Sequence, residues 1–309
     1  MRSVSRLGDR TWLVRLGWAT LLANIGIVLT GGAVRLTGSG LGCPTWPRCT
    51  DESFTPHGAL NLHSAIEFGN RTLTFVLTVI AVATFVSAWQ SGRRELRRLA
   101  LLLALSVPAQ ALLGGVTVLT DLNPWVVAFH LLFSMGIISL AVLYLWRIDT
   151  APTIPAVEER SPRLTALAWT TYAAGWVVLA LGTVVTGSGP HAGDVKAPRN
   201  GLDPLQISQA HADAVFLFIG LSVGLAIALR VTGSPAARVA VLLVVVELAQ
   251  GLIGFVQYFT DLPIVLVEIH LLGAALIATV MTWTLLEVRE GRHRQPSTAT
   301  GITRDVVSS

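Results

Sequence analysis

The chain has 309 residues, of which 52% are hydrophobic and only 13% charged, with a mean hydropathy of +0.65. A soluble domain needs more charge than this on its surface, so lipid is the solvent the composition implies. The net charge of +4 comes from arginines gathered in particular loops, which is a pattern of membrane topology and not of nucleic-acid binding.

A helix needs about 20 apolar residues to cross the hydrocarbon. Eight stretches meet that length: 12–34, 64–90, 97–119, 124–146, 164–187, 205–230, 236–259 and 263–288. Barrel strands alternate and are much shorter, so these runs predict an all-α polytopic membrane protein. The first stretch is too long for a signal peptide and lacks a small-x-small cleavage site, so it is expected to be retained.

Basic residues alternate from loop to loop. Arg2, Arg6 and Arg10 precede the first stretch, and Arg93, Arg94, Arg97 and Arg98 follow the second. Arg147, Arg160 and Arg163 follow the fourth, Arg230 and Arg238 flank the gap after the sixth, and Arg289, Arg292 and Arg294 follow the eighth. The opposite loops hold only Arg35, Arg48, Lys196 and Arg199. The positive-inside rule therefore predicts that both termini are cytoplasmic.

The first outer loop, GSGLGCPTWPRCTD, contains Cys43 and Cys49. An oxidising exterior favours a disulfide there, with metal-binding thiols or two free thiols as alternatives.

The chain is internally duplicated. QALLGGVTVLTDLNPWVVAFHLLF recurs as QGLIGFVQYFTDLPIVLVEIHLLG, so Gln110, Gly114, Asp121 and His130 match Gln250, Gly254, Asp261 and His270. Thr37-Gly38-Ser39-Gly40 matches Thr186-Gly187-Ser188-Gly189, and Asn70 falls opposite His211. Each half has an even number of spans, which predicts two parallel-repeat four-helix bundles. The expected organisation is an N-terminal half (1–147), a linker rich in Pro and charge (148–163), a C-terminal half (164–290) and a disordered cytoplasmic tail (291–309).

His211 and His270 each lie about two turns, roughly 10 Å, below the outer end of helices running in the same direction. Two imidazoles level with each other suit a six-coordinate haem iron. Two unrelated, hydrogen-bonded core histidines are the alternative. In the N-terminal half His130 matches His270, but the partner position is Asn70, a poor iron ligand. Around it stand His63, Glu67 and Arg71; residues 63, 67 and 70 share one helical face. Glu67 could stabilise positive charge or move protons, or it could simply form an ion pair with Arg71. Such asymmetry suggests one half with a permanent electron-transfer haem and one with a reacting haem.

At GGAVRLTGSGLGCPTWPRC, at IEFGNR and at the histidine-bearing helices four, six and eight, the chain resembles the haem A synthases. The resemblance covers essentially the whole chain. It implies oxidation of the C8 methyl of haem O to a formyl group by successive hydroxylations, through an alcohol and a geminal diol, for cytochrome oxidase biogenesis. It implies haem b on His211 and His270, and a substrate haem site containing Glu67 and His130. A handover from the haem O-making farnesyltransferase, the haem O synthase, is implied as well, in a bacterial cell membrane with the haem sites toward the outer face. The chain departs from the family where Asn70 stands in place of His, so either His63 ligates a shifted haem or His130 is the sole protein ligand. It departs again in the loop GSGPHAGDVKAPRNGLD, which has no cysteine pair.

Other residues are weighed more lightly. Arg35 and Arg71 are read as partners of haem propionates or as groups reaching the lipid headgroups. Gln110 and Gln250 are read as interhelical anchors. Asp213, Glu247 and Glu268 are read as contacts to a ligand histidine or as interfacial groups. His57 and His191 are placed in outer loops, with His191 able to cover a haem edge. His293 is placed in the basic tail, and Pro108 at a kink in the third helix. A b-type cytochrome oxidising quinol, or a haem transporter or chaperone, are the rival functions. Neither has an evident use for Glu67 in one half only.

Overall fold

A computed structural model describes residues 7–56, 62–149 and 161–290. His57, Arg2, Arg6, Arg160, His293, most of the expected linker and the whole tail 291–309 lie outside the described residues. Among those described, eight helices are long and apolar enough to cross a membrane. They are α1 (Arg10–Leu36), α2 (Leu62–Gln90), α3 (Arg94–Leu119), α4 (Pro124–Asp149), α5 (Pro162–Ser188), α6 (Pro204–Val231), α7 (Ala237–Phe259) and α8 (Ile264–Glu290). No strand occurs among the described residues.

Several helices run past their apolar stretches at the arginine-rich end. α3 begins at Arg94 instead of 97, and α4 continues to Asp149 instead of 146. Polar partners account for the extra turns. Arg147 pairs with Glu95 at 2.7 Å and with Glu290 at 2.5 Å. Arg93 caps the end of α4 through the Ile148 carbonyl at 2.7 Å, and Arg10 pairs with Asp149 at 2.7 Å. Hydropathy sees only the part of a helix that lies in hydrocarbon; these charged turns extend it where polar partners are within reach. α3 continues without interruption through Pro108.

α1 packs on α2 and α4, and α3 packs on α2 and α4, so the first four helices close into a ring. α5 to α8 close in the same order. The two rings meet through α1·α8, α4·α5 and α4·α8. Exchanging each helix for its sequence counterpart maps this set of contacts onto itself. A continuous apolar core crosses the junction through Met135, Ile138 and Val142 of α4 and Ala275, Ala278 and Met281 of α8. One polar contact lies within it, from the Thr282 hydroxyl to the Ser139 hydroxyl at 3.0 Å. The outward faces are apolar too: Phe75 is 74% exposed and Phe259 76%, as lipid contact allows.

The α3–α4 and α7–α8 connections share a backbone rarely adopted by side-chain-bearing residues. Asp121 and Leu122 have φ of 52° and 59°, and Asp261 and Leu262 have 60° and 56°. Each turn is closed by a backbone bond of 2.8 Å, Leu122 N–H to Thr117 and Leu262 N–H to Gln257. The close helix spacing needs glycine at selected points. A Cβ on Gly175 of α5 would stand 2.6 Å from the Met281 sulfur and 3.0 Å from the Phe218 ring. Gly175→Leu should therefore lower stability by about 1–3 kcal/mol through overpacking, read as a lower midpoint of thermal unfolding in detergent.

Candidate functional site

Three inward histidines share one local construction. A Cβ on Gly182 of α5 would lie 3.2 Å from the His211 ring, and one on Gly254 of α7 would lie 3.2 Å from the His270 ring. Gly114 of α3 stands in the same relation to His130, at 3.6 Å. A helix without a side chain at these points lets an imidazole of its neighbour approach its backbone. The Nδ1 atoms of His130, His211 and His270 are buried without a hydrogen bond. The Val178 backbone lies close to the His211 ring, but outside ordinary hydrogen-bond geometry.

The two glutamines flagged by the repeat hold the histidine helices. Gln250 Nε2 donates to the His270 carbonyl at 2.7 Å. Gln110 Nε2 donates to the Ser134 hydroxyl at 2.6 Å and reaches the His130 carbonyl at 3.5 Å. Both act as interhelical anchors.

Beyond this shared frame the halves differ. His211 and His270 are near enough for their charges to interact. His130 has no such imidazole neighbour: Asn70 accepts a hydrogen bond from the Thr30 hydroxyl at 2.7 Å, joining α2 to α1. His63 is exposed and its Nδ1 pairs with the Ser39 hydroxyl at 3.0 Å. No hydrogen bond or ion pair joins His63 to His130.

Glu67 is buried at 4% exposure beneath the first loop. Its Oε2 accepts from the Cys43 N–H at 2.5 Å, and its Oε1 accepts from Arg71 Nε at 3.1 Å and Nη2 at 2.5 Å. Arg71 also donates to the carbonyls of Thr45, Arg48 and Cys43, at 3.1, 3.2 and 2.8 Å. The loop is closed by a Cys43–Cys49 disulfide of 1.99 Å. The ion pair considered from the sequence is thus present, and it also grips the stapled loop. The loop's Trp46 ring lies over Gly115, 2.5 Å from where a Cβ would stand. Every guanidinium nitrogen of Arg71 is engaged by protein.

Arg35 takes a different course. Its Nη2 donates to the Thr186 carbonyl of α5 at 2.6 Å, joining the two halves, while its Nε is buried without a partner. It lines a shallow cleft with Val127, Thr183 and Gly187. His191 Nε2 lies 3.0 Å from the Leu262 carbonyl, which ties its loop to the α7–α8 turn. Glu268 lies against Gly32 of α1, whose missing side chain makes the room. Glu247 accepts from the Ser222 hydroxyl at 2.6 Å and forms no hydrogen bond or ion pair with a histidine among the described residues.

Sequence matching flagged Gly114, Gly254 and Ser39 but missed Gly182, Thr30 and Ser222. The glycine seat was recoverable from the repeat for α3 and α7 only. The missed hydroxyl partners carry no signal in the sequence, because Ser and Thr abound in these helices.

The donor set can be tested against haem. Among the described residues no three His, Cys, Asp or Glu side chains gather as a metal site. A bare zinc ion takes four protein ligands or three plus water. Haem iron brings four nitrogens of its own and needs only axial ligands. Two half-buried imidazoles, His211 and His270, whose Nδ1 atoms are buried without a hydrogen bond, fit that requirement.

These features define a polytopic, all-helical membrane protein with an inward histidine pair and a disulfide-stapled loop. Residues 14–65 and 61–195 match the cytochrome oxidase assembly protein family, and the chain belongs to that family. It is similar to the heme A synthase of Bacillus licheniformis, at 33% identity over 133 residues covering 42% of each chain. The heme A synthase of Bacillus pumilus is 38% identical over 124 residues, covering 38% of this chain and 39% of the relative. That of Bacillus cereus is 34% identical over 134 residues, covering 41% and 42%. The matches thus span about two fifths of the relatives' length.

The Arg71 clamp gives a direct test. Arg71→Ala leaves a buried carboxylate without its cation, at a cost of about 3 kcal/mol. The variant should unfold at lower temperature in detergent, and its Cys43–Cys49 bond should be reduced faster by a soluble thiol. Arg71→Lys keeps the charge but loses the planar fork, and should fall between the two.

Proposed function

We propose that the protein is a haem A synthase, an oxidoreductase that converts the C8 methyl of haem O to a formyl group by successive hydroxylations. The observation that supports this most is the inequality of the halves. One carries two imidazoles, His211 and His270, each seated on a glycine of the neighbouring helix, while the other holds His130 without an imidazole partner and buries Glu67 against a stapled loop.

In this reading the C-terminal half, 164–290, would hold haem b through His211 and His270. Bound there, haem b supplies one-electron transfer. The chain's part is to seat the two rings on Gly182 and Gly254, to hold the His270 helix through Gln250, and to keep water away with apolar helices. The N-terminal half, 1–147, receives the substrate haem O on His130. The Asn70–Thr30 and His63–Ser39 hydrogen bonds favour His130 as the sole protein ligand there. Glu67 is the group assigned to proton transfer and to stabilising positive charge near the methyl group. Arg71 positions it, and Arg35, with its unpartnered Nε, is the cation offered to a haem propionate.

The reading places the protein in a bacterial cell membrane with both termini cytoplasmic and the haem sites toward the outer face. Haem O arrives from the haem O synthase, and haem A leaves for cytochrome oxidase assembly.

The central experiment is mass spectrometry of haems extracted from protein co-expressed with a source of haem O. Haem A or its hydroxylated precursor is expected beside haem b; haem b alone, with haem O abundant in the membranes, would sink the reading. His270→Ala should lose haem b. Glu67→Gln keeps the hydrogen bond from Cys43, so haem binding should persist while conversion falls about 100-fold, the range of a lost acid–base group. Topology is tested separately with single added cysteines. A membrane-impermeant maleimide should label Val195→Cys, at a 98% exposed position, in intact cells, and label Ser91→Cys only after lysis.

A further inference from the structure

Glu247 is a second buried acid, and nothing in the reading above uses it. It lies near the middle of α7, about 15 Å from the nearer helix end, and is 2% exposed. Such a residue at membrane depth is costly and marks function more often than structure. Its Oε1 accepts from Ser222 of α6 at 2.6 Å, while its Oε2 is buried without a partner.

One turn along the same face is Gln250, whose Nε2 is committed to the His270 carbonyl at 2.7 Å. Its Oε1 is also buried and unpartnered, pressed against Gly273 of α8. Two orphan acceptors therefore lie a turn apart. A proton on the carboxyl would convert one of them into a donor. One turn beyond Gln250, Gly254 seats the His270 ring, about 10 Å along the axis from Glu247. The N-terminal half keeps the orphan glutamine Oε1 and the glycine seat, at Gln110 and Gly114, but lacks the acid and its hydroxyl partner: the repeat places Ala81 opposite Ser222 and Val107 opposite Glu247. The acid exists only in the half with the paired imidazoles.

The carboxyl has no cation. α7 packs on α6 and α8. α6 brings His211, Asp213 and Arg230, α8 brings Glu268, His270, Glu287, Arg289 and Glu290, and α7 itself adds Arg238 and Tyr258. None of them ion-pairs or hydrogen-bonds with Glu247, whose one partner among the described residues is Ser222. A carboxylate in this position can be balanced only by a positive centre between the histidines, or by a proton.

We infer that Glu247 is a redox-linked proton site: it is ionised when the iron held by His211 and His270 is ferric, and protonated when that iron is ferrous. One electron enters from an external one-electron donor, one proton enters from water onto the Glu247 carboxyl, and the charge of the region is unchanged; oxidation releases both. The inference rests on the haem b assignment, and its test separates the two.

The test is a mediated redox titration of the purified haem-loaded protein from pH 5.5 to 9, with absorbance reporting both haem content and axial ligation. Wild type should show a midpoint potential that falls as pH rises, and a reduced-minus-oxidised infrared spectrum with a carboxylic C=O band. Glu247→Gln should lose both while keeping haem b. Ser222→Ala removes a hydrogen bond that favours the carboxylate, so its pH-dependent range should move upward; this variant serves if Glu247→Gln does not fold. A pH-independent wild-type potential, or an unchanged pH dependence and C=O band in Glu247→Gln, would overturn the inference and leave haem binding untouched. Protein that binds no haem b overturns the assignment beneath it.

Discussion

The approach of neighbouring helices at the histidines governs the rest of the structure. An imidazole is too large to sit between two helices in close contact unless one of them gives up its side chain. Gly114, Gly182 and Gly254 do this for His130, His211 and His270. Packing in lipid has little hydrophobic drive between helices, so association depends on such close approach and on interhelical hydrogen bonds. Gln110 and Gln250 supply those bonds beside two of the three rings. The same contacts that hold the bundles together therefore place the rings.

Duplication offers two such frames, and the differences between them are chemical. One frame retains both imidazoles and adds a lone acid at mid-membrane. The other gives up an imidazole at Asn70, uses that position to bind Thr30, and buries Glu67 under a loop stapled by Cys43 and Cys49. Arg71 joins these parts, since one guanidinium neutralises the acid and satisfies three loop carbonyls. The buried charge and the loop conformation thus depend on each other. The halves are joined by the Arg35–Thr186 bond near the loop end and by an apolar seam of α4 and α8.

The eight spans, the histidine-bearing helices and the duplicated anchors were legible in the sequence. Lipid imposes long apolar runs, and a repeat shows itself by matching. Gln110 and Gln250 could be identified as anchors because each appears twice in the same setting. The ends of α3 and α4 were less legible, because Arg93, Arg147 and Glu290 extend the helices by pairing with groups far away in the chain. The Glu67–Arg71 pair could be read from i,i+4 spacing, but its grip on the loop could not, since Cys43, Thr45 and Arg48 lie over twenty residues away.

By itself the sequence determined that this chain has eight stretches long and apolar enough to cross a membrane, that segments of its two halves match each other, and which helices bear histidine. These follow from local composition and from self-similarity, which need no third dimension. Only the tertiary structure decided which glycine seats each histidine ring, that Asn70 and His63 are taken up by Thr30 and Ser39, and that Glu247 stands without a cation. Those outcomes depend on helix rotation and on partners from other helices, and no one-dimensional pattern specifies either.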